Sequence, residues 1–576
     1  MRGLARTVER LRENVTLTVA ITFVVALLVP AMIGTSNVHD AALGRDPGIF
    51  QYTAWALSKG QIAYRDFHEV NGPLPHLMHL LFLKFGGADE HTFRVADTIT
   101  CSIVYVLVGA MAPGFDMAKM RERSARERWA TRAAWGLAAW CTFSAHRLAF
   151  TWWDLSQREG FYNLFLLPSV ALQLAAQGTH ARSSRGRWWL FAVSGALAAI
   201  PILGKPTCAL FPVLLCLAIS IDRDAKYSRL RAMIVYGAGV VAGLAVFALI
   251  SSRWCDLGRW VHFILFDSSR FYVYIMRNTL AGTYAAYGNG PKLNLAGATL
   301  VIGALLVWRG PVPSRFWTPI AFLFGALLAY FAQQKGFRYH LYPVVGGTIL
   351  LWVTALQHLS QRWRALGRRG DGVLLALLAS LVMYASVDDL AFAWALRKQP
   401  PIGALDPSHP REFYEHYQGG NFFAWDTRRA AKFVSRTTPE ESTVQTYGLD
   451  PYLLFLSKRL SASPFIYAWD LGDDSILAAG PPPRDADWLR QVFASNRAEL
   501  LVALNKPPAA FVFFDNAPPS FKADAESDFI ARCKDAGAFL LQGYKMAHAF
   551  GTVRVWLRND LDAVWRSVGS PTEWEP

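Results

Sequence analysis

Residues 15–34 form an apolar stretch of twenty residues without a charged side chain. A bilayer core of about 30 Å is crossed by about 20 such residues, because a helix rises about 1.5 Å per residue. The stretch is longer than the apolar region of a secretory signal, which has about 7 to 15 residues before its cleavage site. We therefore expect a retained anchor helix and a protein that folds in a membrane.

Further apolar stretches follow, and together with the first they predict about eleven membrane spans. They cover residues 92–113, 133–152, 160–177, 188–203, 206–221, 232–250, 293–308, 316–332, 340–357 and 372–392. With 53% hydrophobic residues, the composition agrees with a polytopic α-helical membrane protein. The two stretches beside Lys205 have only about 16 residues each, so we expect a re-entrant or tilted pair with Lys205-Pro206 at its tip.

Basic residues mark alternate connections between these stretches. They lie in residues 2–12, 119–132, 182–187, 223–231, 309–315 and 362–369. Because Lys and Arg accumulate on the cytoplasmic side, the pattern predicts a cytoplasmic N-terminus and an outer C-terminal part. This accounts for the excess of 58 Lys and Arg over 43 Asp and Glu. A basic stripe with interleaved aromatics, which would indicate nucleic-acid binding, is absent from the sequence.

The sequence predicts a transmembrane domain at residues 1–397, with a large outer loop at 35–91. It predicts an extracytoplasmic α/β domain in the tail, residues 398–576. Strand-like runs at 442–448, 509–515 and 551–557 alternate with helical runs at 487–504 and 524–536. The tail sequence contains no GxGxxG, GxxxxGK or GxSxG, so we expect no nucleotide or hydrolase site in it. Six scattered cysteines without a CxxC indicate no disulfide framework.

An acidic residue stands at a predicted helix start in the first outer loop. Asp46-Pro47 opens an apolar-periodic run at residues 47–58, and Gly60 ends it. The pattern predicts Asp46 as the N-cap, with proline at the first helical position. The amphipathic helix would lie on the membrane surface. Either Asp46 only caps the helix, or one of its carboxylate oxygens caps the helix and the other acts as a base.

Polar side chains are dense further along the same loop. They are Tyr64, Arg65, Asp66, His68, Glu69 and His76. The HxxxH and HExxH spacings of zinc sites are absent from this stretch, so it predicts no metal site. The stretch is either a solvated loop or a substrate-binding loop.

Two carboxylates flank the end of a later predicted span. They are Asp154 and Glu159, and Arg158 lies between them. Charges at a membrane edge are costly unless they are paired or functional. Interfacial polarity and a catalytic role both stay open here, and any divalent cation would be held by these two side chains.

Cations and hydrogen-bond donors gather at other predicted outer ends of spans. They are Lys205, Lys335, Arg338, His340 and Tyr342. The set suits the phosphate of a lipid-linked substrate, because Arg binds phosphate bidentately, Lys as a point charge and Tyr through its O–H. Snorkelling of Lys205 and nonspecific contact with headgroups are the alternatives.

Carboxylates and cations on the same predicted outer face are typical of a transferase whose leaving group is a phosphate. One carboxylate takes a proton from an acceptor hydroxyl, and cations stabilise the charge that grows on the departing phosphate. A transporter or lipid-linked sugar flippase is the alternative, although such proteins place charges near the bilayer midplane and often contain repeated halves. A membrane scaffold without catalysis is a third hypothesis.

The chain resembles the GT-C superfamily of integral-membrane glycosyltransferases, in particular the branch of protein O-mannosyltransferases and aminoarabinose transferases. The resemblance lies in residues 46–50, Gly60 and residues 63–74, with further similarity at residues 157–159, Lys205-Pro206 and residues 335–343. It implies a GT-C fold and inverting transfer of a sugar from a polyprenyl-phosphate donor to a hydroxyl of a lipid, glycan or protein acceptor, at the outer face of the cell membrane. It also implies Asp46 as the base.

The sequence departs from that family pattern at three positions. Asn71 and Gly72 stand where aminoarabinose transferases have a lysine and a proline, so a donor-phosphate contact is missing there. One of the cations at the later span ends then takes this role. Pro47 replaces the usual glutamate, which removes one acid from the expected site.

Overall fold

The computed structural model describes residues 2–87, 89–111, 124–178, 184–268, 270–310, 312–366, 368–396, 410–419, 421–478, 480–515, 524–561 and 564. Parts of four predicted basic connections, residues 119–123, 182–183, 311 and 367, and the domain boundary predicted at residue 398 lie outside these residues. The chain forms two compact units. The first contains Met1–Asp40, Arg94–Leu249 and Asn278–Ile402, and the second contains Ala41–Phe93, Ile250–Arg277 and Gly403–Pro576.

Helices dominate the described residues, and strands occur in the C-terminal part. The helices are α1 (Arg2–Asp40), α2 (Arg45–Ser58), α3 (Pro73–Gly86), α4 (Glu90–Ala110), α5 (Ala125–Ala145), α6 (Arg158–Gln177), α7 (Ser184–Ala199), α8 (Leu210–Ser220), α9 (Arg229–Ser251), α10 (Leu257–His262), α11 (Leu280–Ala285), α12 (Gly290–Trp308), α13 (Trp317–Gln333), α14 (Tyr342–Leu366), α15 (Arg369–Leu396), α16 (Pro410–His416), α17 (Ala424–Thr437), α18 (Tyr452–Ser457), α19 (Asp474–Ala478), α20 (Pro483–Ala503), α21 (Ala525–Arg532) and α22 (Lys534–Gly543). The strands are β1 (Thr443–Tyr447), β2 (Leu460–Ser461), β3 (Ala510–Phe514), β4 (Tyr544–Phe550) and β5 (Val553–Arg558).

Eight helical segments of the described chain are long and apolar enough to cross a membrane. They are Val15–Ser36, Glu90–Ala110, Arg185–Leu203, Arg229–Ser251, Gly290–Trp308, Ser314–Gln333, Arg338–Leu366 and Arg369–Ala393. The other three predicted stretches also fall on helices, namely α5, α6 and the shorter apolar segment Pro206–Ser220. The polytopic helical architecture with a C-terminal α/β part is therefore confirmed.

Small residues let α7 and α9 approach closely in the first unit. A Cβ added at Gly239 would lie 2.0 Å from the carbonyl oxygen of Ala192, and one at Gly195 would lie 2.2 Å from that of Tyr236. Helices in membranes associate largely through such close backbone packing, because lipid tails are as apolar as their side chains. The glycines of these two stretches therefore determine how the spans pair.

Helix α14 is the centre of the first unit. It packs against α1, α6, α12, α13 and α15. The span that contains it, Arg338–Leu366, is buried over 94% of its most apolar window. A helix that is apolar on all sides is expected in such a position. The 3₁₀ turn Arg338–Leu341, which precedes α14, therefore lies among several helix ends.

The chain between α7 and α8 is broken around Lys205. Short 3₁₀ segments, Ile200–Leu203 and Pro206–Ala209, flank Gly204 and Lys205. Proline lacks the N–H that a continuing helix needs, and the Pro206 ring prevents Lys205 from adopting helical geometry. The predicted interruption at Lys205-Pro206 is thus present, with Lys205 in an extended conformation.

The second unit contains a five-stranded sheet with the order β2-β1-β3-β5-β4. Strands β1, β2 and β3 are parallel, whereas β5 pairs antiparallel with β3 and β4. Strands β1, β3 and β5 and helices α20 and α21 coincide with the predicted runs, although the run at 524–536 divides at Cys533. Strand β2 has two residues and β4 contains an irregularity at Met546 and His548, so neither has a clear alternating pattern.

Helix α2 corrects two predictions for the first loop. Gly44 is the N-cap, and Asp46 lies inside the first turn. All residues from Pro47 to Leu57 are buried, so the predicted amphipathic surface helix is wrong. The reason is tertiary packing within the second unit: α2 lies against α3 and α18, and Tyr52 Oη accepts a hydrogen bond from Ser461 N at 3.0 Å. The predicted end near Gly60 is confirmed.

Candidate functional site

Glu159 lies at the start of α6 in the first unit. Gln157 is the N-cap and Arg158 begins the helix, so Glu159 lies in the first turn, where the helix dipole stabilises a carboxylate. Only 2% of its side chain is exposed. Gly160 follows it and lies beside the ring of Tyr342. The predicted span-end carboxylate is therefore buried within the protein.

Lys205 reaches Glu159 from the break between α7 and α8. Its Nζ donates to Glu159 Oε1 at 3.2 Å and to Gln333 Oε1 at the end of α13. It also lies 3.3 Å from His340 Nε2, in the turn before α14. Four separate segments thus meet at one point. The structure brings together three predicted site residues, and we refer to Arg158, Glu159, Lys205, Gln333 and His340 as the Glu159 cluster.

Lys205 is largely buried, with 13% of its side chain exposed. The pKa of Lys205 is lowered from 10.5 to about 8, mainly by burial and also by the charge of Arg158, while Glu159 opposes both effects. An exposed lysine stays charged well above this pH. Lys205 therefore gains or loses its proton close to neutral pH, and a bound anion would favour the charged form.

The Glu159 cluster contains more positive than negative charge. Arg158 Nε donates to Glu159 Oε1 at 2.9 Å, and its guanidinium carbon lies 5.8 Å from the centre of the Tyr339 ring. Arg158 and Lys205 thus donate to the same carboxylate oxygen. Lys335 is buried nearby, and its charge acts on His340. Such a surplus of buried cations favours an anionic ligand.

Two polar atoms of the cluster have no hydrogen-bond partner among the described residues. They are Glu159 Oε2 and His340 Nδ1, and both are buried. The Lys205 ammonium carries donors and no acceptor, so His340 Nε2 accepts from it and the imidazole proton lies on Nδ1. Buried polar groups are normally paired. The His340 Nδ1–H is therefore a donor available to a ligand oxygen.

Arg338 contacts the protein backbone. Its Nε donates to Ala149 O at 2.7 Å and its Nη1 to Tyr287 O at 2.9 Å. The guanidinium carbon lies 3.8 Å from the centre of the Phe392 ring. These contacts use donors that a phosphate would need, and they join three segments of the first unit.

Tyr342 and Asp154 also occupy defined positions. Tyr342 stacks on Phe150 with ring centres 3.9 Å apart, and Asn163 Nδ2 donates to its carbonyl oxygen at 2.8 Å. Asp154 Oδ2 accepts from Thr151 N at 3.1 Å and from Thr151 Oγ1 at 2.6 Å, which closes a 3₁₀ turn. Asp154 thus shapes the segment that leads to α6.

A buried ionic network in the first unit was not predicted. Asp97 Oδ2 accepts from Arg147 Nη2 at 3.1 Å and from Ser156 Oγ at 2.9 Å, and Arg94 Nη1 donates to that hydroxyl at 2.8 Å. The signal in the sequence was Asp97 itself, a charge inside an apolar stretch. Its partner Arg147 is 50 residues away, and the sequence offers no means of pairing them.

A second unpredicted cluster joins α12 and α15. Asp389, which is fully buried, accepts from Lys292 Nζ and contacts His146 Nδ1, and Lys292 also contacts Asp388 Oδ2 at 3.0 Å. These residues border a narrow cavity, otherwise apolar, between α12, α14 and α15. The two adjacent aspartates in the last apolar stretch were the signal in the sequence.

In the second unit, the residue before Asp46, Arg45, forms a buried ion pair at the start of the helix. Arg45 donates to Asp450 Oδ1 at 2.7 Å and to Oδ2 at 3.2 Å, and to Asn421 Oδ1 at 3.1 Å. Only 8% of the Arg45 side chain is exposed. Asp46 itself is partly exposed in the first turn of α2. The ion pair therefore fixes the start of the helix that carries the predicted base.

Glu69 is the centre of a polar cluster in the second unit. Its Oε1 accepts from Asn71 N at 2.9 Å and from Asn71 Nδ2 at 2.6 Å, and its Oε2 accepts from Tyr467 Oη at 2.8 Å. His76 Nε2 lies 4.0 Å from Oε2. Burial raises the pKa of Glu69 and lowers that of His76 to about 3, so His76 is neutral at pH 7.

Asp470 and His68 extend this cluster. His68 Nδ1 lies 3.9 Å from Asp470 Oδ2. Burial raises the pKa of Asp470 well above its usual value, and the charge of Glu69 adds to this effect. Burial and the charge of Arg259 lower the pKa of His68. Burial raises the pKa of Tyr467, and the charges of Glu69, Asp46 and Asp470 add to this effect.

The other predicted loop residues shape the chain. Arg65 and Asp66 pair with each other at 2.8 Å, and Asp66 Oδ2 accepts from Ile62 N at 2.7 Å. Tyr64 adopts a left-handed conformation with φ of 68°, and its hydroxyl donates to Asn71 O at 2.5 Å. Within the described ranges, no three His, Cys, Asp or Glu side chains are arranged to bind a metal ion.

Solved structures provide a comparison for this architecture. ArnT from Cupriavidus metallidurans in the apo state has a TM-score of 0.54 and 14% identity, over 93% of this chain and 97% of that chain. The same protein bound to undecaprenyl phosphate has a TM-score of 0.52 and 15% identity over the same shares. The oligosaccharyltransferase AglB from Archaeoglobus fulgidus, in complex with an inhibitory peptide and a dolichol-phosphate, has a TM-score of 0.43 and 11% identity, over 94% of this chain and 74% of that chain.

The chain matches no protein-family model and no curated protein. At the identity found, the similarity to ArnT concerns the fold. It extends over nearly the whole of both chains, membrane helices and C-terminal part alike. The chain is therefore a polytopic membrane protein with the same fold as ArnT.

Proposed function

We propose that this protein is a glycosyltransferase that moves a sugar from a polyprenyl-phosphate donor to an acceptor hydroxyl. The observation that carries the proposal is the Glu159 cluster, in which Lys205 and Arg158 share one carboxylate oxygen and His340 keeps an Nδ1 without a hydrogen-bond partner among the described residues. The structure of ArnT bound to undecaprenyl phosphate supports a lipid phosphate as the ligand.

The Glu159 cluster would bind the phosphate of the donor. Lys205 supplies a charged donor, His340 a neutral one, and Lys335 a further positive charge close to His340. As the sugar leaves, negative charge grows on the phosphate oxygen, and donors fixed in a water-poor site stabilise that charge. Arg338 would contribute through its positive charge, since its N–H groups bind backbone carbonyls.

Asp46 would act as the general base. Its carboxylate takes the proton of an acceptor hydroxyl, the hydroxyl oxygen forms a bond to the anomeric carbon, and the bond from that carbon to the phosphate oxygen breaks. The electron pair remains on the polyprenyl phosphate, and attack from the opposite face inverts the anomeric configuration. Glu159 and Asp154, which were candidates for catalysis, would instead orient the donor-binding segment, because both are held by local contacts.

Charge distribution supports an orientation for this reaction. Basic connections alternate along the sequence, which favours an N-terminus in the cytoplasm and the second unit outside the cell membrane. Lys205, Lys335 and His340 lie in the connections assigned to the outer side. The acceptor is then a lipid, glycan or protein of the cell envelope.

The proposal is tested with the purified full-length protein in nanodiscs. A panel of polyprenyl-phosphate sugars is incubated with it, and released polyprenyl phosphate is measured. We expect release from at least one donor, a large loss in K205A, and unchanged release in K226A, which removes an exposed lysine of a basic connection. Movement of the intact donor across vesicles without release would favour the flippase alternative, and equal release by K205A would refute the role of Lys205.

A further inference from the structure

The surroundings of Asp46 differ chemically from the Glu159 cluster. In the second unit, Tyr467 Oη donates to Glu69 Oε2 at 2.8 Å, and Asp470 lies in the turn that follows Tyr467. Burial raises the pKa of this phenol, and the charges of Glu69, Asp46 and Asp470 add to the effect. The imidazole of His76 is neutral at pH 7, because burial lowers its pKa to about 3. Carboxyl oxygens bind hydroxyls and offer no positive charge to a phosphate.

Two adjacent side chains in this region have unused hydrogen-bonding groups. Asp470 is 7% exposed, and its Oδ2 has no hydrogen-bond partner in the part of the chain that the structure describes. The indole N–H of Trp469 is also buried and unpaired there. Both belong to the 3₁₀ turn Ala468–Leu471, which fixes their direction. Buried polar atoms are rarely left unpaired unless a ligand or water completes them.

Aromatic rings lie beside these unused groups. The rings of Tyr467 and Trp469 have centres 4.8 Å apart at an angle of 33°, and His68 meets Phe465 edge-on at 4.9 Å. His68 exposes 37% of its side chain, so the region is open to solvent on that side. A sugar ring has apolar C–H faces and hydroxyls around its edge, which matches aromatic faces bordered by carboxylate acceptors and one N–H donor.

We propose that Asp470, Trp469 and His68 form a recognition site for the hydroxyls of a carbohydrate, and that the acceptor of the reaction is a glycan. The unused Oδ2 of Asp470 forms a hydrogen bond with a sugar hydroxyl, the Trp469 N–H donates to a sugar oxygen, and the imidazole of His68 accepts or donates at the open side. The inference rests on the proposed function, because an acceptor must bind beside the base, and Asp46 acts on the same phenol as Asp470.

Binding is tested apart from catalysis. Labelled full-length protein in nanodiscs is applied to an array of neutral, amino and acidic glycans, together with a set of hydroxyl-containing peptides and phospholipid vesicles. We expect wild-type protein to bind a subset of the glycans, and D470N and W469F to weaken this binding by about tenfold or more, since D470N replaces one carboxyl oxygen by an NH₂ group and W469F removes the indole N–H. D487N, an exposed site of the same unit, is the matched control.

The outcomes separate this inference from the proposed function. K205A should lose release of polyprenyl phosphate and keep glycan binding, whereas D470N should lose glycan binding and keep the hydrolytic release of polyprenyl phosphate, in which water takes the sugar in place of the acceptor. Absence of transfer with glycan binding that depends on Asp470 would refute the transferase and leave the glycan site standing. Binding of peptides or vesicles in place of glycans, or equal glycan binding by wild type, D470N and W469F, would overturn the inference.

Discussion

Replacing Glu159 by Gln removes the negative charge that Lys205 and Arg158 share and keeps the shape of the side chain. Glu159 raises the pKa of Lys205, whose value of about 8 already reflects strong burial. An opposite charge within about 4 to 6 Å typically changes a pKa by about 1 to 3, and here the two atoms are 3.2 Å apart. In E159Q, Lys205 should therefore lose its proton about 1 to 3 pH units lower.

The sign of the effect on ligand binding follows from the charge of Lys205. Phosphate binds the charged lysine, so its affinity is present below the Lys205 pKa and lost as the pH rises through it. Lowering that pKa moves the loss to lower pH, and the change corresponds to about 1.4 to 4 kcal/mol. At a pH below both transitions, E159Q should bind at least as tightly as wild type, because no carboxylate competes with the phosphate. The two profiles should therefore cross.

The assay is binding of undecaprenyl phosphate to the protein in nanodiscs between about pH 5 and pH 10, a range that includes both transitions. The lipid phosphate titrates identically in every sample, so differences between variants come from the protein. E499Q, which removes an exposed carboxylate from α20, should follow the wild-type profile. An unchanged midpoint in E159Q, or a shift to higher pH, would refute the assignment of Lys205 as the phosphate ligand whose charge Glu159 sustains.

Three further predictions concern other parts of the molecule. D46N should abolish sugar transfer at unchanged protein level, measured as released polyprenyl phosphate, and retained transfer would remove Asp46 from the base role. D450A leaves the buried guanidinium of Arg45 without its carboxylate and should lower the free energy of unfolding by about 3 to 5 kcal/mol in denaturant titrations; a loss below about 1 kcal/mol, as for surface ion pairs, would contradict this. G239L, whose Cβ would lie 2.0 Å from Ala192 O, should greatly reduce the folded yield in size-exclusion chromatography, and a normal yield would show that α7 and α9 can separate.

Much of the fold could be predicted because membrane helices depend on a local property. A stretch of apolar residues crosses a bilayer whatever its neighbours are, so every predicted stretch fell on a helix. The prediction of a surface helix at α2 was wrong because contacts with other elements of the fold bury this helix. Its apolar residues recur as they do in a surface helix, yet α3 and α18 pack against it. Strand β4 was not predicted, because an edge strand with an irregular register shows no regular alternation of apolar and polar residues.

The site was predictable where residues carry charge into an apolar setting. Lys205 and Glu159 stood out because a charge at a span end requires a partner, and the structure pairs them across 46 residues. Residues whose proposed role depends on the folded arrangement were not predicted. Asp470 and Trp469 lie in an ordinary polar stretch of the tail, and their unused hydrogen-bonding groups exist only once the 3₁₀ turn Ala468–Leu471 is buried. No local pattern encodes that burial.

The use of one oxygen of Glu159 distinguishes a binding site from a structural ion pair. A carboxylate that served only to neutralise two buried cations would place each of its oxygens against one of them, because this satisfies more hydrogen bonds. Here Arg158 and Lys205 both donate to Oε1 at 2.9 and 3.2 Å, and Oε2 has no hydrogen-bond partner among the described residues. The two cations converge on Oε1, and His340 Nε2 lies 3.5 Å from the same oxygen. This convergence supports the proposal that the Glu159 cluster binds a phosphate.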